Sequence, residues 1–366
     1  MARKLKSDKV LFIATLLLVC ASVVVVYSAS AVMADQRYHN AYLFLTKQAL
    51  WTGLGLAMLA VVMRIDYRTY RNDRFVWALL GAVGLMLLVV LFRSPVNNAR
   101  RWFGVGGLGM QPSELAKLAC IFFTAMVLER RMHRINDWKY ALLPIAIVAG
   151  VLVGLIMLQP DFGTSMALLL IIGVMVFAAG LDLRVLIGTA LIALPAAYIL
   201  IMSADYRRRR VLTFLDPWSD PLGDGFQIIQ SMIAVGTGGV FGKGLMNGVQ
   251  KLFYLPEPHT DFIFAVIGEE LGLIGASAVL ICFGVIAWRG LRIAMRAEDS
   301  FGSFVALGLT VMIAVQALIN MSVVLGLLPN KGFPLPLVSF GGSSLLINLL
   351  GMGVLLNISQ HESADA

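Results

Sequence analysis

The sequence predicts an all-α, polytopic membrane bundle of about ten transmembrane helices carrying one large extracytoplasmic loop. Three observations predict it. Of 366 residues, 59% are hydrophobic and only 14% are charged, more apolar surface than a soluble domain can hide. The apolar residues come in runs near the ~20 that a bilayer core requires of a helix. Lys and Arg collect in alternate connections, the asymmetry that orients membrane helices.

The spans follow in order. Val10–Val32 is too long, and too poor in a small-residue cleavage site, for a removable signal peptide; Arg3, Lys4, Lys6 and Lys9 precede it. Leu43–Met63 and Phe75–Phe92 flank a connection holding Arg64, Arg68, Arg71 and Arg74. The polar segment Arg93–Gln111 leads into Ser113–Leu128, which Arg130, Arg131, Arg134 and Lys139 follow. Tyr140–Leu158 and Phe162–Gly180 meet at Gln159-Pro160-Asp161, either a turn between two spans or a break in one. Arg184–Met202 enters the long loop of about 203–261. Phe262–Trp288 is followed by Arg289, Arg292 and Arg296, Phe301–Leu327 by the turn-rich Pro329–Ser339, and Ser339–Ile358 closes the chain.

Placing both termini in the cytoplasm puts these basic connections on one side and the loop outside. The Arg207–Arg210 run opposes the bias, but long loops are weak topology signals. The net charge of +8 therefore reflects topology and anionic-lipid affinity rather than nucleic-acid binding. Residues 1–366 read as a single membrane domain. Cys20, Cys120 and Cys282 all lie in expected spans, which suggests neither disulfides nor a metal site. Within the loop, Phe226–Ile233 has helical apolar spacing, consistent with an interfacial amphipathic helix or with a short packed loop helix.

Two glycine-rich stretches are decoys. Gly104-Val105-Gly106-Gly107-Leu108-Gly109 fits G-x-G-x-x-G but lies between spans with no βαβ context, and Gly236–Gly244 has the wrong register for a P-loop. The four histidines, His39, His133, His259 and His361, have no zinc spacing.

Asp261 stands out, an acid at the mouth of an apolar helix after a polar loop. It suits a general base taking a proton from a sugar or alcohol hydroxyl, or a helix N-cap. His259 beside it is a hydrogen-bonding partner of the same site or an interfacial residue. Glu114 and Lys117, three apart, share a helix face as a structural ion pair or as the wall of a polar cavity near Asp261. At least one of Glu269 and Glu270 faces the bundle interior and pairs with a base. Arg100, Arg101, the Arg207–Arg210 run and Lys331 lie on the outer side, suited to phosphate or to a headgroup surface. Lys331 sits in Leu328-Pro329-Asn330-Lys331-Gly332-Phe333-Pro334-Leu335-Pro336, where Pro and Gly fix a backbone that needs shelter at membrane depth.

Several segments together resemble the SEDS family (FtsW/RodA/SpoVE). They are Asn97–Trp102, Gln111-Pro112-Ser113-Glu114, Gln159–Thr164, Leu215–Pro221, His259–Gly272 and Pro334–Ser344, which match in order across nearly the whole chain. Leu328–Gly332 and Gly341-Gly342-Ser343-Ser344 resemble the cell-division branch; Asn330 departs from the Thr common there, and the elongation branch usually lacks the lysine. The resemblance implies a peptidoglycan glycosyltransferase polymerising lipid II on the outer face of the bacterial plasma membrane, at the division septum. It implies a class B penicillin-binding protein (a transpeptidase) and other divisome proteins as partners. It also makes the acid at Asp261 the essential catalytic residue, deprotonating the acceptor sugar's 4-hydroxyl, with Arg100, Arg101, Lys331, Glu114, Lys117 and His259 as candidate substrate-binding residues. The pyrophosphate leaving group calls for cationic side chains or a divalent ion, Mg²⁺ or Mn²⁺; spacing names no protein metal ligands, and no organic cofactor is implied. The rival readings are a lipid II flippase, which wants charges along a midplane path, an elongation-type polymerase, and a scaffold indifferent to Asp261.

Overall fold

The computed structural model describes residues 7–93, 101–105, 108–252, 254–330 and 332–361. Ten helices lie at the positions of the expected spans: α1 (Lys9–Tyr38), α2 (Leu43–Val62), α3 (Asp73–Leu91), α4 (Pro112–Arg131), α5 (Leu143–Leu158), α6 (Phe162–Ala178), α7 (Leu183–Met202), α10 (Ile263–Arg296), α11 (Ser300–Val324) and α12 (Gly342–Ser359). The long loop between α7 and α10 adds α8 (Asp205–Leu215) and α9 (Phe226–Gly238). Among the described residues eight helices are long and apolar enough to cross a membrane. The remaining two of the ten are α4, which carries Glu114 and Lys117, and α6, shorter at 17 residues.

Side-chain oxygens start several helices. Asp8 caps α1 by accepting from the Val10 and Leu11 amides, and Asp161, Asp182 and Asp299 cap α6, α7 and α11. The residues 159–161 form a turn rather than a break, because α5 and α6 pack against one another. Gly104 and Gly109 face each other in an antiparallel strand pair, β1 (Phe103–Val105) with β2 (Leu108–Met110), not a nucleotide-binding unit.

One apolar core runs from Leu11 in α1 to Ile358 in α12, with α4, α11 and α12 the most buried helices. Ion pairs close one end of the bundle. Asp8 meets Arg289 at 2.6 Å, Arg68 meets Glu298 at 2.7 Å, Arg71 meets Glu129 at 3.0 Å, and Arg130 pairs with Asp73. These contacts join the start of α1, the α2–α3 connection, the end of α4 and the α10–α11 connection, so Asp261 and the start of α12 lie at the other end. The helix α9 is the packed alternative of the two expected. Ile228, Ile229, Ser231 and Ala234 are buried, and α9 packs on α10 and α11.

The longest helix is two pieces. At Gly272 the backbone turns to φ 64°, ψ −161°, a region open essentially to glycine alone. The amides of Lys243 and Gly244 bond the Glu269 and Glu270 carbonyls at 3.0 and 2.9 Å. Those of Leu273 and Ile274 bond the Gly239 and Val240 carbonyls at 2.9 and 3.2 Å. The regular i to i−4 ladder is thus exchanged for bonds to the segment after α9. A Cβ at Gly272 would overlap the Gly242 nitrogen and Val240 oxygen, so the glycine allows the approach as well as the dihedral.

Candidate active site

Asp261 lies just before α10, at the end of the bundle away from the ion-paired connections, and is partly exposed. The N-cap position belongs to Phe262, so the helix-capping reading of Asp261 is not what the fold uses. Three supports hold its backbone. Asn320 of α11 donates from Nδ2 to the Asp261 carbonyl at 2.8 Å and to the Phe333 carbonyl at 2.5 Å. Ser339 donates to the Thr260 carbonyl at 2.6 Å while accepting from the Leu335 amide at 2.7 Å. The Phe340 amide donates to the His259 carbonyl at 2.9 Å. The 332–340 segment is thereby stitched to the strip that presents Asp261. Gly332 lies so close that a Cβ there would overlap Asp261 Oδ2. Its predecessor Lys331, and also Arg100, lie outside the described residues.

His259 sits behind this mouth. Only 4% exposed, it packs between Phe44 and Phe340, with ring centroids at 4.7 and 5.6 Å. Burial, and secondarily the charge of Arg37, push its pKa down to about 4, so the imidazole is neutral at physiological pH. It meets the site through its backbone.

Glu114 and Lys117 form a bond of 2.9 Å with side chains 4% and 0% exposed. Lys117 also donates to Gln316 Oε1 at 2.9 Å, and Ser344 donates to Glu114 at 3.2 Å. Such a buried pair persists only with further hydrogen bonds, and α11 and α12 supply them. The Lys117 ammonium also stands 6.0 Å from the Phe333 ring centroid. Phe333 is held in turn by Asn320, so the pair supports the floor of the mouth. Arg101 turns elsewhere, donating to the Gln159 carbonyl at 3.2 Å and to the Pro160 carbonyl. The Gln111 amide joins Ser343 Oγ at 3.2 Å, and its side chain donates to Asp161 at 3.4 Å. The Gln111, Gln159–Asp161 and Ser343 segments thus meet on the same end of the bundle.

Glu269 and Glu270 both face inward. Glu269 takes Lys243 at 2.8 Å and the Val249 amide at 2.9 Å; Glu270 takes Lys251 at 2.5 Å and Ser28 at 2.7 Å. These bases come from the loop after α9, far away in sequence, and nothing local announces them. Asn320 and Gln316 did leave a signal, since two amides four apart in an apolar helix mark an interior face. No group of three His, Cys, Asp or Glu side chains suited to a metal ion occurs among the described residues.

Comparison with known proteins fits this architecture. The FtsW/RodA/SpoVE family model, described as "Cell cycle protein", matches residues 8–364. A probable peptidoglycan glycosyltransferase FtsW of Geobacter sulfurreducens is 44% identical over 354 residues, covering 96% of this chain and 95% of the relative. Stage V sporulation protein E of Bacillus subtilis is 44% identical over 364 residues, covering 98% of each. A chain from a peptidoglycan synthase complex that coordinates polymerization and crosslinking superposes with a TM-score of 0.80 at 32% identity, over 99% of this chain and 100% of that one. The rod shape determining protein RodA of Thermus thermophilus gives 0.73 at 29%, covering 99% of each chain. A family match from residue 8 to residue 364 and relatives of like length leave one conclusion: the chain belongs to the FtsW/RodA/SpoVE family.

Proposed function

We propose that this protein is a peptidoglycan glycosyltransferase of the FtsW type, polymerising lipid II at the outer face of the bacterial plasma membrane for septal wall synthesis. The observation that carries the reading is a partly exposed carboxylate, Asp261, on a backbone pinned by Asn320 and Ser339 at the end of the bundle opposite the arginine-rich connections. Asp261 takes the proton from the 4-hydroxyl of the acceptor N-acetylglucosamine. That oxygen attacks the anomeric carbon of the donor's N-acetylmuramic acid with inversion, and undecaprenyl pyrophosphate departs. Fixed geometry supplies much of such a rate, and the pinned strip provides it.

Arg100, Arg101 and Lys331 are the cations proposed to meet the pyrophosphate. Arg101 is already tied to the 159–160 turn, which assigns it to shaping that wall as well. A Mg²⁺ or Mn²⁺ ion is proposed to share the leaving group's charge, with the pyrophosphate supplying several of its ligands. The arginine-rich connections support a cytoplasmic location for both termini. The likeness to a chain of a complex that couples polymerization with crosslinking supports a class B penicillin-binding partner.

The test is lipid II polymerisation by the purified protein, with its penicillin-binding partner and that partner's transpeptidase blocked. Wild type is expected to make glycan chains, and Asp261→Ala none. Equal polymer from both would remove Asp261 from the mechanism. No polymer from either, in a folded complex, would return transport and scaffolding to consideration.

A further inference from the structure

A cavity of 810 Å³ opens where the start of α1, the end of α2 and the end of α12 meet, at the end of the bundle away from Asp261. Phe12, Leu16, Leu56, Leu59 and Met63 line its body. From Met63 to Leu56 is about two helical turns, roughly 10 Å, within the ~15 Å that is half of a ~30 Å hydrocarbon core. Arg64 stands at the mouth directly after Met63. The cavity is therefore apolar along the acyl depth of one leaflet and cationic where that leaflet's headgroups begin.

Its polar neighbours leave Arg64 as the group that selects. On the floor, Asn357 is satisfied within the protein, donating to the Met63 carbonyl at 2.9 Å and accepting from the Tyr67 amide at 2.9 Å. Asp66 accepts from the Arg68 amide at 2.9 Å and lies 4.0 Å from the Arg68 guanidinium. His361 turns Nδ1 to the Asn357 carbonyl at 3.0 Å and its ring to Tyr67. Arg68, Arg71, Arg130 and Arg289 are all paired with acids. Arg64 is exposed and has no such partner among the described residues.

We propose that this cavity binds one anionic phospholipid of the leaflet at the arginine-rich face, an acyl chain in the groove and the phosphate at Arg64. The site is separate from the glycosyl-transfer mouth and does not depend on that chemistry.

Native mass spectrometry of the full-length protein in mild detergent tests it, titrating phosphatidylglycerol and phosphatidylcholine of identical chains, with glycerol 3-phosphate as the headgroup alone. One phosphatidylglycerol should be retained, favoured about fivefold over phosphatidylcholine, the ratio that about 1 kcal/mol per basic residue near an anionic surface implies. Glycerol 3-phosphate should not bind. Arg64→Gln should abolish the preference while an acyl chain still binds. Ala60→Trp, at an exposed position on the lining, should lose the retained lipid. Equal retention of both lipids by wild type, an unchanged preference in Arg64→Gln, or unaltered retention in a folded Ala60→Trp would each overturn the proposal. If Ala60→Trp does not fold, the exposed Arg64 variant decides.

Discussion

Replacing Gly332 with alanine separates positioning of the carboxylate proposed as the catalytic base from stability of the fold. The new Cβ would overlap Asp261 Oδ2, and restoring van der Waals separation requires a shift on the order of 1 Å. The Asp261 carboxylate can make that shift by rotating about its own side-chain torsions, since it is the far end of a side chain at a partly exposed position. The folding cost should therefore stay below about 1 kcal/mol, as for most surface changes. Activity should suffer much more. A misplacement near 1 Å costs about 100-fold, equivalent to about 2.7 kcal/mol at 1.36 kcal/mol per tenfold. The assay is lipid II polymerisation measured as kcat/KM beside thermal unfolding of the same preparation. A Gly332→Ala protein with normal unfolding and near wild-type rate would refute the claim that this glycine makes room for the acid. A rate loss accompanied by an equal loss of fold would refute the separation.

Further outcomes follow from the buried charges. Lys117→Met strands the Glu114 carboxylate in an interior where the pair is almost completely buried. It should destabilise by about 3–5 kcal/mol, and Glu114→Gln/Lys117→Met should recover much of this, read as unfolding temperature in detergent. A double variant no better than the single one would show that the pair is not a unit. His259 has its pKa pushed down to about 4 from 6.5. The unfolded chain thus binds a proton that the folded one refuses, and the stability due to the neutral imidazole is complete above pH 6.5. It is lost as pH falls through 4, on the order of 3 kcal/mol in all. His259→Phe should flatten that part of the pH–stability curve, and an unchanged curve would count against it.

The spans were legible because a bilayer imposes a length on apolar runs. The place of Asp261 just before α10 was legible because the apolar run begins directly after it. Glu114 and Lys117 announced themselves by a three-residue spacing on one helix face. What stayed hidden was long-range. The sequence around Glu269 and Glu270 says that a base must come, but Lys243 and Lys251 lie across a turn whose path only the fold settles. The stripe in Phe226–Ile233 says that one face is apolar without saying whether lipid or protein covers it, and α10 and α11 cover it. The glycines from Gly236 to Gly244 imitate a phosphate loop, whereas two of them permit close backbone approach: a Cβ at Gly238 would overlap the Gly268 carbonyl, and one at Gly242 the Glu270 carbonyl.

The interruption at Gly272 also orders the biogenesis of the protein. In an uninterrupted helix the amides of Leu273 and Ile274 would bond the carbonyls of Glu269 and Glu270, so α10 can satisfy its backbone in lipid alone and gives up those two bonds only when other partners replace them. Those replacements lie at residues 239 to 244, which precede α10 in the chain. The loop before α10 therefore acts as an internal assembly factor, converting a straight helix into the broken one when it docks. Deleting it should leave α10 unbroken and Glu269 and Glu270 buried without Lys243 and Lys251.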